Sequence, residues 1–558
     1  MSADEEEPVV LRAADQRPPA HADEPSCVRC GRFGAYVCDA TDEDVCSLEC
    51  RDACIQRRRE TEARDAQLRR KLGIRVTGAC GARGLDPLLA SFDDCEPPLP
   101  PSLRANMRRA ALETPTPVQM QVVPSALARA NLLVVAPTGT GKTAAYVVPT
   151  LAQLAHAHSA DPSSRALGVV LAPIRELASQ IEEVTKALAL GVPHMKTALL
   201  VGGVPMPPQL HRLQAGVQVI VATPGRFLDV FASVDVAAAD ERGRGTTLAS
   251  AVVCVVDEVD VMLDVGFRAQ LSAIVGLLPP LAQLQMLFFS ATLSARVESL
   301  VQQILGSSSS RGAETHPQPL AAAAGNCLRV EVGGRTRQPA DERGAVPASS
   351  ASATYTVNAS IRQQVVWAED KAKKKRLFDY LTSKSDESTM RIPAASIHAD
   401  KPQPERLRAL EAFVNQDVRV LVSTNVLGRG IDLLHVRNVV VFDFPSTVAD
   451  YVHLIGRTAR GAEGETGSAL VLVNDDDKRV FRELVEVLRA AKAVVPREIY
   501  ARLAVDAKRQ AFKTSAFAID EAKRAFRISS SASESAGHDT QRSWHNWADH
   551  VSKKRRRS

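Results

Sequence analysis

Apolar residues along this chain fall into two series of short, β-branched runs separated by longer stretches with helical spacing. The first series holds LLVV (132–135), GVVLAP (168–173), VQVIVATP (217–224), AVVCVVDEVD (251–260) and QMLFFSAT (285–292). The second holds AASIHAD (394–400), VRVLVSTN (418–425), VRNVVVFDFP (436–445) and GSALVLVN (467–474). Runs that are apolar at nearly every position belong to strands covered on both faces, and helices between them mean parallel pairing. The pattern predicts an α/β protein with two parallel-sheet domains in tandem, over 91–306 and 354–500. Between them, 307–353 reads as a low-complexity linker interrupted by the strand-like CLRVEVGG (327–334). Ahead of them lie an acidic, Pro/Ala-rich lead (1–25) expected to be disordered, a cysteine-rich segment (26–58) and a charged helical connector (59–90). An extension over 501–558 ends in KKRRRS.

With 558 residues, 45% of them hydrophobic, the chain can bury more than one core. Its net charge of +5 excludes little, since a basic groove can coexist with acidic surface elsewhere. No segment approaches the ~20 apolar residues of a membrane span, so a soluble intracellular protein with no membrane partner is expected. Six of the ten cysteines lie between Cys27 and Cys54, a clustering that in such a chain favours metal over disulfides.

The LLVV run leads directly into APTGTGKT, Ala136 to Thr143. A strand, a Gly-rich turn and a GKT that opens a helix make a phosphate-binding loop, with Ala136, Thr138, Gly139, Thr140 and Gly141 wrapping the nucleotide. Gly139 and Gly141 let successive N–H groups converge on phosphate, helped by the positive end of the helix. Lys142 would reach the β- and γ-phosphates, and the Thr143 hydroxyl would hold Mg²⁺. The run AVVCVV ends in Asp257 and Glu258, two carboxylates at the carboxyl edge of a strand, where α/β sheets bind ligands. Alone they would read as a solvated acidic turn. Beside a phosphate loop, Asp257 can hold the metal through water and Glu258 can orient and deprotonate the water that attacks the γ-phosphate.

Taken in order, these motifs resemble the DEAD-box ATP-dependent RNA helicases, whose phosphate loop reads A-x-x-G-x-G-K-T and so accounts for Ala136. TPTPVQ (114–119) resembles the adenine-reading segment, which gives Gln119 paired hydrogen bonds to the base. APIRELASQ (172–180), Gly202–Gly203 and TPGR (223–226) resemble the first domain's RNA-backbone contacts. The resemblance thus assigns Pro173, Arg175, Gly203, Thr223, Gly225 and Arg226 to RNA. SAT (290–292) resembles the element that couples hydrolysis to strand separation, implying a coupling set of Ser290, Thr292, Asp260 and His453. STNVLGRGID (423–432) and HLIGRTAR (453–460) resemble the segments that complete both sites. They imply Ser423 and Thr424 on RNA, Asp432 on the ribose, and Arg457 and Arg460 as arginine fingers. Two RecA-like domains, ATP and Mg²⁺ as cofactors, and RNA bound through its backbone with little sequence preference are what the resemblance implies.

The chain departs from the family pattern at Val259, Ile174 and Leu454, none of which removes a phosphate-contacting group. A larger departure lies between Leu381 and Ala394, where the family places the second domain's first strand and helix. Only the polar TSKSDESTMRIP (382–393) stands there, too short for a strand–helix unit. An incomplete second domain, weak hydrolysis and little unwinding are therefore expected. The alternative reading is an impaired RNA- and nucleotide-binding adaptor that docks proteins through its cysteine segment.

That segment, CVRC (27–30), Cys38, CSLEC (46–50) and Cys54, resembles the HIT-type zinc finger, which interleaves two four-ligand sites. The resemblance gives one complete site to Cys27, Cys30, Cys46 and Cys50. It leaves Cys38 and Cys54 in a second site whose other positions fall on Thr41 and Arg58, so that site is expected empty. Fingers of this type mostly dock partner proteins. KKRRR (553–557) reads as either a nuclear localisation signal or a solvated basic tail, and KAKKKR (371–376) as a solvated helix face.

Overall fold

The structure, a computed structural model, describes residues 10–21, 23–78, 85–232, 245–306, 327–333, 360–383, 392–398, 400–424, 436–458 and 466–505. The cysteine segment forms an antiparallel hairpin, β1 (Tyr36–Cys38) and β2 (Glu43–Val45), followed by α1 (Leu48–Leu72). Ser47 caps α1 by accepting the Cys50 N–H at 3.3 Å, and Gly73 ends it in the left-handed conformation at φ 67°.

The first large domain runs through β3 (Ile74–Thr77), α2 (Pro101–Arg109), α3 (Pro117–Leu127), β4 (Asn131–Val135), α4 (Lys142–Ala160), β5 (Leu167–Leu171) and α5 (Arg175–Ala189). It continues with β6 (Thr197–Leu200), α6 (Met206–Gln214), β7 (Val219–Ala222), α7 (Pro224–Ala232), β8 (Ala251–Val256), α8 (Val259–Asp264) and α9 (Arg268–Leu277). It closes with β9 (Gln285–Ser290), α10 (Ala295–Gly306) and β10 (Cys327–Val332). The strands form one sheet in the order β3-β10-β4-β9-β8-β5-β7-β6, parallel except for β3. Neighbouring residues of a strand enter opposite cores: Leu132 and Val134 pack on one side, Leu133 on the other. The phosphate loop follows β4, the acidic pair follows β8 and Ser290–Thr292 follows β9, all at one carboxyl edge.

Three sequence expectations are corrected here. CLRVEV is no linker strand: β10 pairs in parallel with β4, Cys327 opposite Asn131 through Glu331 opposite Val135. A lone strand inside low-complexity sequence has no local pattern to assign it, and only the open flank of β4 claims it. The connector is likewise built into the domain. After α1 the chain enters β3, which pairs antiparallel with β10, and α1 itself docks through charged residues. Asp65 Oδ2 accepts the Leu88 N–H at 2.8 Å, and Arg69 donates to Gln121 Oε1 at 2.7 Å and to the Asp86 carbonyl at 2.8 Å. Leu68 and Leu72 of α1 also pack against the core, but two leucines among so many ions leave too weak a stripe for hydrophobic periodicity to reveal the docking. Finally, the part of the 1–25 lead that is described folds onto the finger. The carbonyls of Val10 and Leu11 accept the N–H groups of Leu48 and Glu49 at 3.1 and 3.2 Å, supplying acceptors that the first turn of a helix lacks. The Arg17 guanidinium lies 4.0 Å from the Phe33 ring and pairs with Glu24 at 2.7 Å.

The second domain contains β11 (Ile361–Trp367), α11 (Asp370–Ser383), β12 (Ala394–Ile397), α12 (Gln403–Val414), β13 (Val420–Ser423), β14 (Asn438–Val441), α13 (Val448–Ile455), β15 (Gly467–Val473) and α14 (Phe481–Ala490). Its strands are all parallel, but they form two sheets, β11-β15-β14 and β12-β13. Among the described residues no strand lies between α11 and β12. The consequence is exposure: no residue of β13 is buried and Val422 is 58% exposed, whereas every residue of β5 is buried. Within the KAKKKR run, read above as solvated, Lys373 is buried, with Nζ 2.9 Å from Asp443 Oδ1 and 3.1 Å from Asp370 Oδ1. Its neighbours Lys371, Lys374, Lys375 and Arg376 are exposed.

Arg69→Ala should strip α1 of its ties to Gln121 and Asp86 and cost about 1–3 kcal/mol, read as a lower denaturant midpoint of the first domain. Arg70→Ala, at an exposed neighbouring position, should leave the midpoint unchanged; equal effects of the two would mean that α1 is not docked through Arg69.

Candidate nucleotide and RNA site

The phosphate loop is held from beneath by α3. Gln119 is buried, and its Oε1 accepts the Thr116 N–H at 2.9 Å while its Nε2 donates to the Gly141 carbonyl at 3.1 Å. Thr116 Oγ1 donates to the Thr140 carbonyl at 2.9 Å. Gly139 and Gly141 carry φ of 79° and 88°, and a Cβ on Gly141 would sit 2.5 Å from Gln119 Nε2. Glycine is therefore required at 141 both for its conformation and for the clasp. Sequence reasoning gave Gln119 to adenine; here its first bonds go to the loop. One lone pair on Oε1 and one N–H on Nε2 remain, the pair an adenine edge needs.

Lys142, buried, donates to the Ala136 carbonyl at 3.0 Å and lies 3.9 Å from Glu258 Oε1. Asp257 is buried, with Oδ1 accepting the Glu258 N–H at 2.9 Å and Oδ2 accepting the Tyr146 hydroxyl at 3.0 Å. Burial and the neighbouring Glu258 push the Asp257 carboxyl above its ordinary range, against the pull of Lys142. Glu258 adopts φ 50°, a left-handed conformation that costs a non-glycine residue energy. Its Oε2 is buried with no hydrogen-bond partner among the described residues.

Asp260 is a junction. Oδ1 accepts the Val261 N–H at 3.0 Å, and Oδ2 accepts the Thr292 N–H at 2.9 Å and the Thr292 hydroxyl at 2.7 Å. His453 Nε2, from the second domain, lies 3.6 Å from the same oxygen. Burial alone would raise this carboxyl, yet its hydrogen bonds to His453 and Thr292 hold it well below the carboxylate range. Ser290 Oγ donates to the Thr292 carbonyl at 2.7 Å. Glu258, Asp260 and His453 place ligand atoms within 4.8 Å of one another. Both Asp260 oxygens are committed to donors of the first domain, and His453 brings the second domain up against the same carboxylate.

Further contacts join the domains, and sequence reasoning assigned none of them. Thr138 Oγ1 donates to the Gly456 carbonyl at 3.1 Å, so closely that a Cβ on Gly456 would stand 2.2 Å from that oxygen. Glu176 Oε1 accepts Gln403 Nε2 at 3.0 Å and lies 2.5 Å from Arg406 Nη2. The available signal was the i,i+3 spacing of Gln403 and Arg406 at a helix start. Arg457 is buried and donates from Nε to the His453 carbonyl at 3.1 Å. Asp432 and Arg460 lie outside the described residues.

The residues assigned to RNA lie at the carboxyl ends of β5, β6, β7 and β13 and in the first turns of α5 and α7 that follow them. The Arg175 guanidinium lies against the Gly202–Gly203 backbone, where a Cβ on Gly203 would meet Nη1 at 2.3 Å. Arg226 Nη1 donates to the Val204 carbonyl at 3.1 Å. Pro173 and Thr223 are buried, while Gly225, Ser423 and Thr424 are exposed.

In the finger, the sulfurs of Cys27, Cys30, Cys46 and Cys50 lie within 4.8 Å of one another. Cys30, Cys46 and Cys50 are mutually separated by 3.4, 3.6 and 3.9 Å, near the ~3.8 Å edge of a tetrahedron with Zn–S of about 2.3 Å. Cys38 and Cys54 are outside that cluster, and Arg58 beside them donates to the Ala40 carbonyl and pairs with Glu62 at 2.9 Å.

Residues 116–300 match the DEAD/DEAH box helicase family, and residues 354–462 match the helicase conserved C-terminal domain. The chain is 37% identical over 534 residues to DEAD-box ATP-dependent RNA helicase 41 of Arabidopsis thaliana, covering 88% of this chain and 94% of that protein. It is 34% identical over 552 residues to the human Probable ATP-dependent RNA helicase DDX59, covering 88% and 79%. In fold it is similar to the DEAD-box helicase Mss116, solved bound to ssRNA and UDP-BeF, with a TM-score of 0.58 at 23% identity over 73% of this chain and 79% of that one. No helix among the described residues is long and apolar enough to cross a membrane. By sequence match, two-domain fold and the order of its loops, the chain belongs to the DEAD-box family of ATP-dependent RNA helicases.

Proposed function

We propose that this helicase binds ATP between its two domains and RNA through backbone contacts beside it, and that Asp260 carries the signal between the two. The observation behind this reading is the convergence of Thr292 and His453 on one Asp260 oxygen, at 2.7 and 3.6 Å. A change around Glu258 reaches both the Ser290–Thr292 loop and the second domain through that atom. Lys142 meets the phosphates, and Glu258, whose buried Oε2 lacks a partner, orients and deprotonates water. Arg457, joined by Arg460, meets charge developing on the γ-phosphate. The donor set fits Mg²⁺: Asp257, a buried carboxylate at the strand's edge, and Thr143 would hold it. When bound, Mg²⁺ neutralises phosphate charge. The RNA loops offer arginine, hydroxyl and glycine backbone, which suit phosphates and 2′-hydroxyls better than base edges.

The four converging sulfurs support zinc in a HIT-type finger that docks a protein partner, and the basic run at 553–557 supports nuclear import. The second reading, an impaired adaptor, draws on the divided second-domain sheet. Arginines delivered from a sheet in two pieces are poorly fixed, and a displacement of ~1 Å can cost on the order of a hundredfold in rate.

Three measurements follow from this reading. RNA-stimulated ATPase and unwinding of a short RNA duplex should be weak in the unmodified chain, absent in Glu258→Gln, and raised by inserting an apolar strand and helix after Ser383; equal rates with and without the insert would show that the divided sheet does not limit activity. Gly456→Ala should reduce the ATPase by on the order of a hundredfold while nucleotide affinity holds, and Thr138→Ala in the same protein should recover part of it. If Gly456→Ala is silent, the Thr138–Gly456 approach does not form in the active state. Metal analysis of the full chain after chelator dialysis should find one zinc, lost in Cys46→Ser; two retained equivalents would refute an empty Cys38–Cys54 site.

A further inference from the structure

We infer that Tyr146 is a positioning residue whose hydroxyl fixes the carboxylate of Asp257 in the orientation that receives the metal-bound nucleotide; this rests on the reading of Asp257 as the magnesium-facing group. Tyr146 stands four residues after Lys142 and three after Thr143 on α4, so all three share the helix face turned to the site. It is completely buried, and its ring meets Phe289 of β9 edge-on, with centroids 5.0 Å apart at 61°. Held in this way, the phenol cannot swing away, and a buried tyrosine hydroxyl requires a partner. That partner is Asp257 Oδ2, at 3.0 Å. Thr143, read as the other magnesium-facing side chain, lies one turn before Tyr146 on the same helix.

The geometry of Asp257 shows what the bond does. Its Oδ1 is held by the Glu258 N–H at 2.9 Å. A carboxylate with one donor on each oxygen cannot rotate about its χ2, and the second lone pair of each oxygen then points in a fixed direction. Take the phenol away and only the Glu258 N–H remains to set the plane. A phenylalanine would fill the same volume against Phe289, so packing needs the ring alone and the hydroxyl serves the carboxylate. Groups that orient a metal-holding side chain typically change metal affinity by about 10–100-fold when removed.

The test uses the full chain and binding rather than turnover. Binding of a fluorescent ADP analogue is titrated with Mg²⁺, and Mn²⁺ held with ADP is read by paramagnetic resonance, in wild type, Tyr146→Phe, Asp257→Asn and the double variant. Tyr146→Phe should raise the half-saturating Mg²⁺ by about tenfold and broaden the Mn²⁺ signal, while metal-free nucleotide affinity stays as in wild type. In the Asp257→Asn background the same change should add nothing, because the group it orients is gone. If Asp257→Asn shifts Mg²⁺ dependence and Tyr146→Phe does not, the positioning role is overturned; if Asp257→Asn shifts nothing, the reading of Asp257 itself fails. Thermal unfolding run in parallel separates a packing role, which would lower the melting temperature without moving Mg²⁺ dependence. Should Tyr146→Phe not fold, 3-fluorotyrosine at 146 keeps the ring and alters only the donor, and an unchanged Mg²⁺ half-saturation there also overturns the proposal.

Discussion

A parallel strand in a helix-covered sheet has to be buried on both faces and paired on both edges, and most of what this chain can do depends on whether each of its strands meets that condition. In the first domain β4 does so only because β10, on the far side of a low-complexity stretch, returns to pair with it from Cys327 to Glu331. The strand that launches the phosphate loop is thus interior, flanked by β10 and β9. β3, reached through the finger's own helix, then covers the outer edge of β10. The finger is therefore coupled to the nucleotide domain by shared hydrogen bonds, and Arg69 carries the connection to Gln121, two residues from Gln119. In the second domain, among the described residues, β13 pairs only with β12 and β14 only with β15, and Val422 of β13 is 58% exposed.

The two domains nevertheless meet through specific polar contacts. Glu176 with Gln403 and Arg406, Thr138 with Gly456, and Asp260 with His453 join α5, the phosphate loop and α8 of the first domain to α12 and the carboxyl end of α13 in the second. None of these contacts comes from β12 or β13. They come from α12 and from the end of α13, elements whose positions are set by packing on either sheet fragment. The interface can thus persist while the sheet beneath it is divided, and the precision with which Arg457 is presented is the property most exposed to the division.

The residues of the candidate nucleotide site were legible in the sequence because a phosphate-binding loop constrains residue type at fixed spacing. Lys142 and Thr143 must follow Gly141, and Asp257 and Glu258 must end a buried strand. The two tandem α/β domains were legible for a similar reason, since the doubly covered strands of the first are apolar at nearly every position, though the division of the second domain's strands into two sheets was not. What escaped was whatever depends on distant partners. β10 looks like a stray strand until β4 needs it, and α1 hides its docking face because Asp65 and Arg69 are charged yet buried with partners. Lys373, in a run of solvated lysines, differs from its neighbours only by facing Asp443 and Asp370. Tyr146 stands among the apolar residues of α4, and nothing local distinguishes a packed ring from a ring whose hydroxyl faces a carboxylate.

The first domain buries Lys142, Asp257, Glu258, Asp260 and Tyr146 at one sheet edge. Such a concentration of polar groups in a low-dielectric setting costs stability unless each group is paired, and the pairing here is nearly complete. Glu258 is the exception, with a buried oxygen that has no partner among the described residues and a left-handed backbone, while Lys142 is satisfied by the Ala136 carbonyl. That arrangement lies entirely within the first domain and its completed sheet, whereas Arg457 is held by the second domain, whose described strands fall into two sheets.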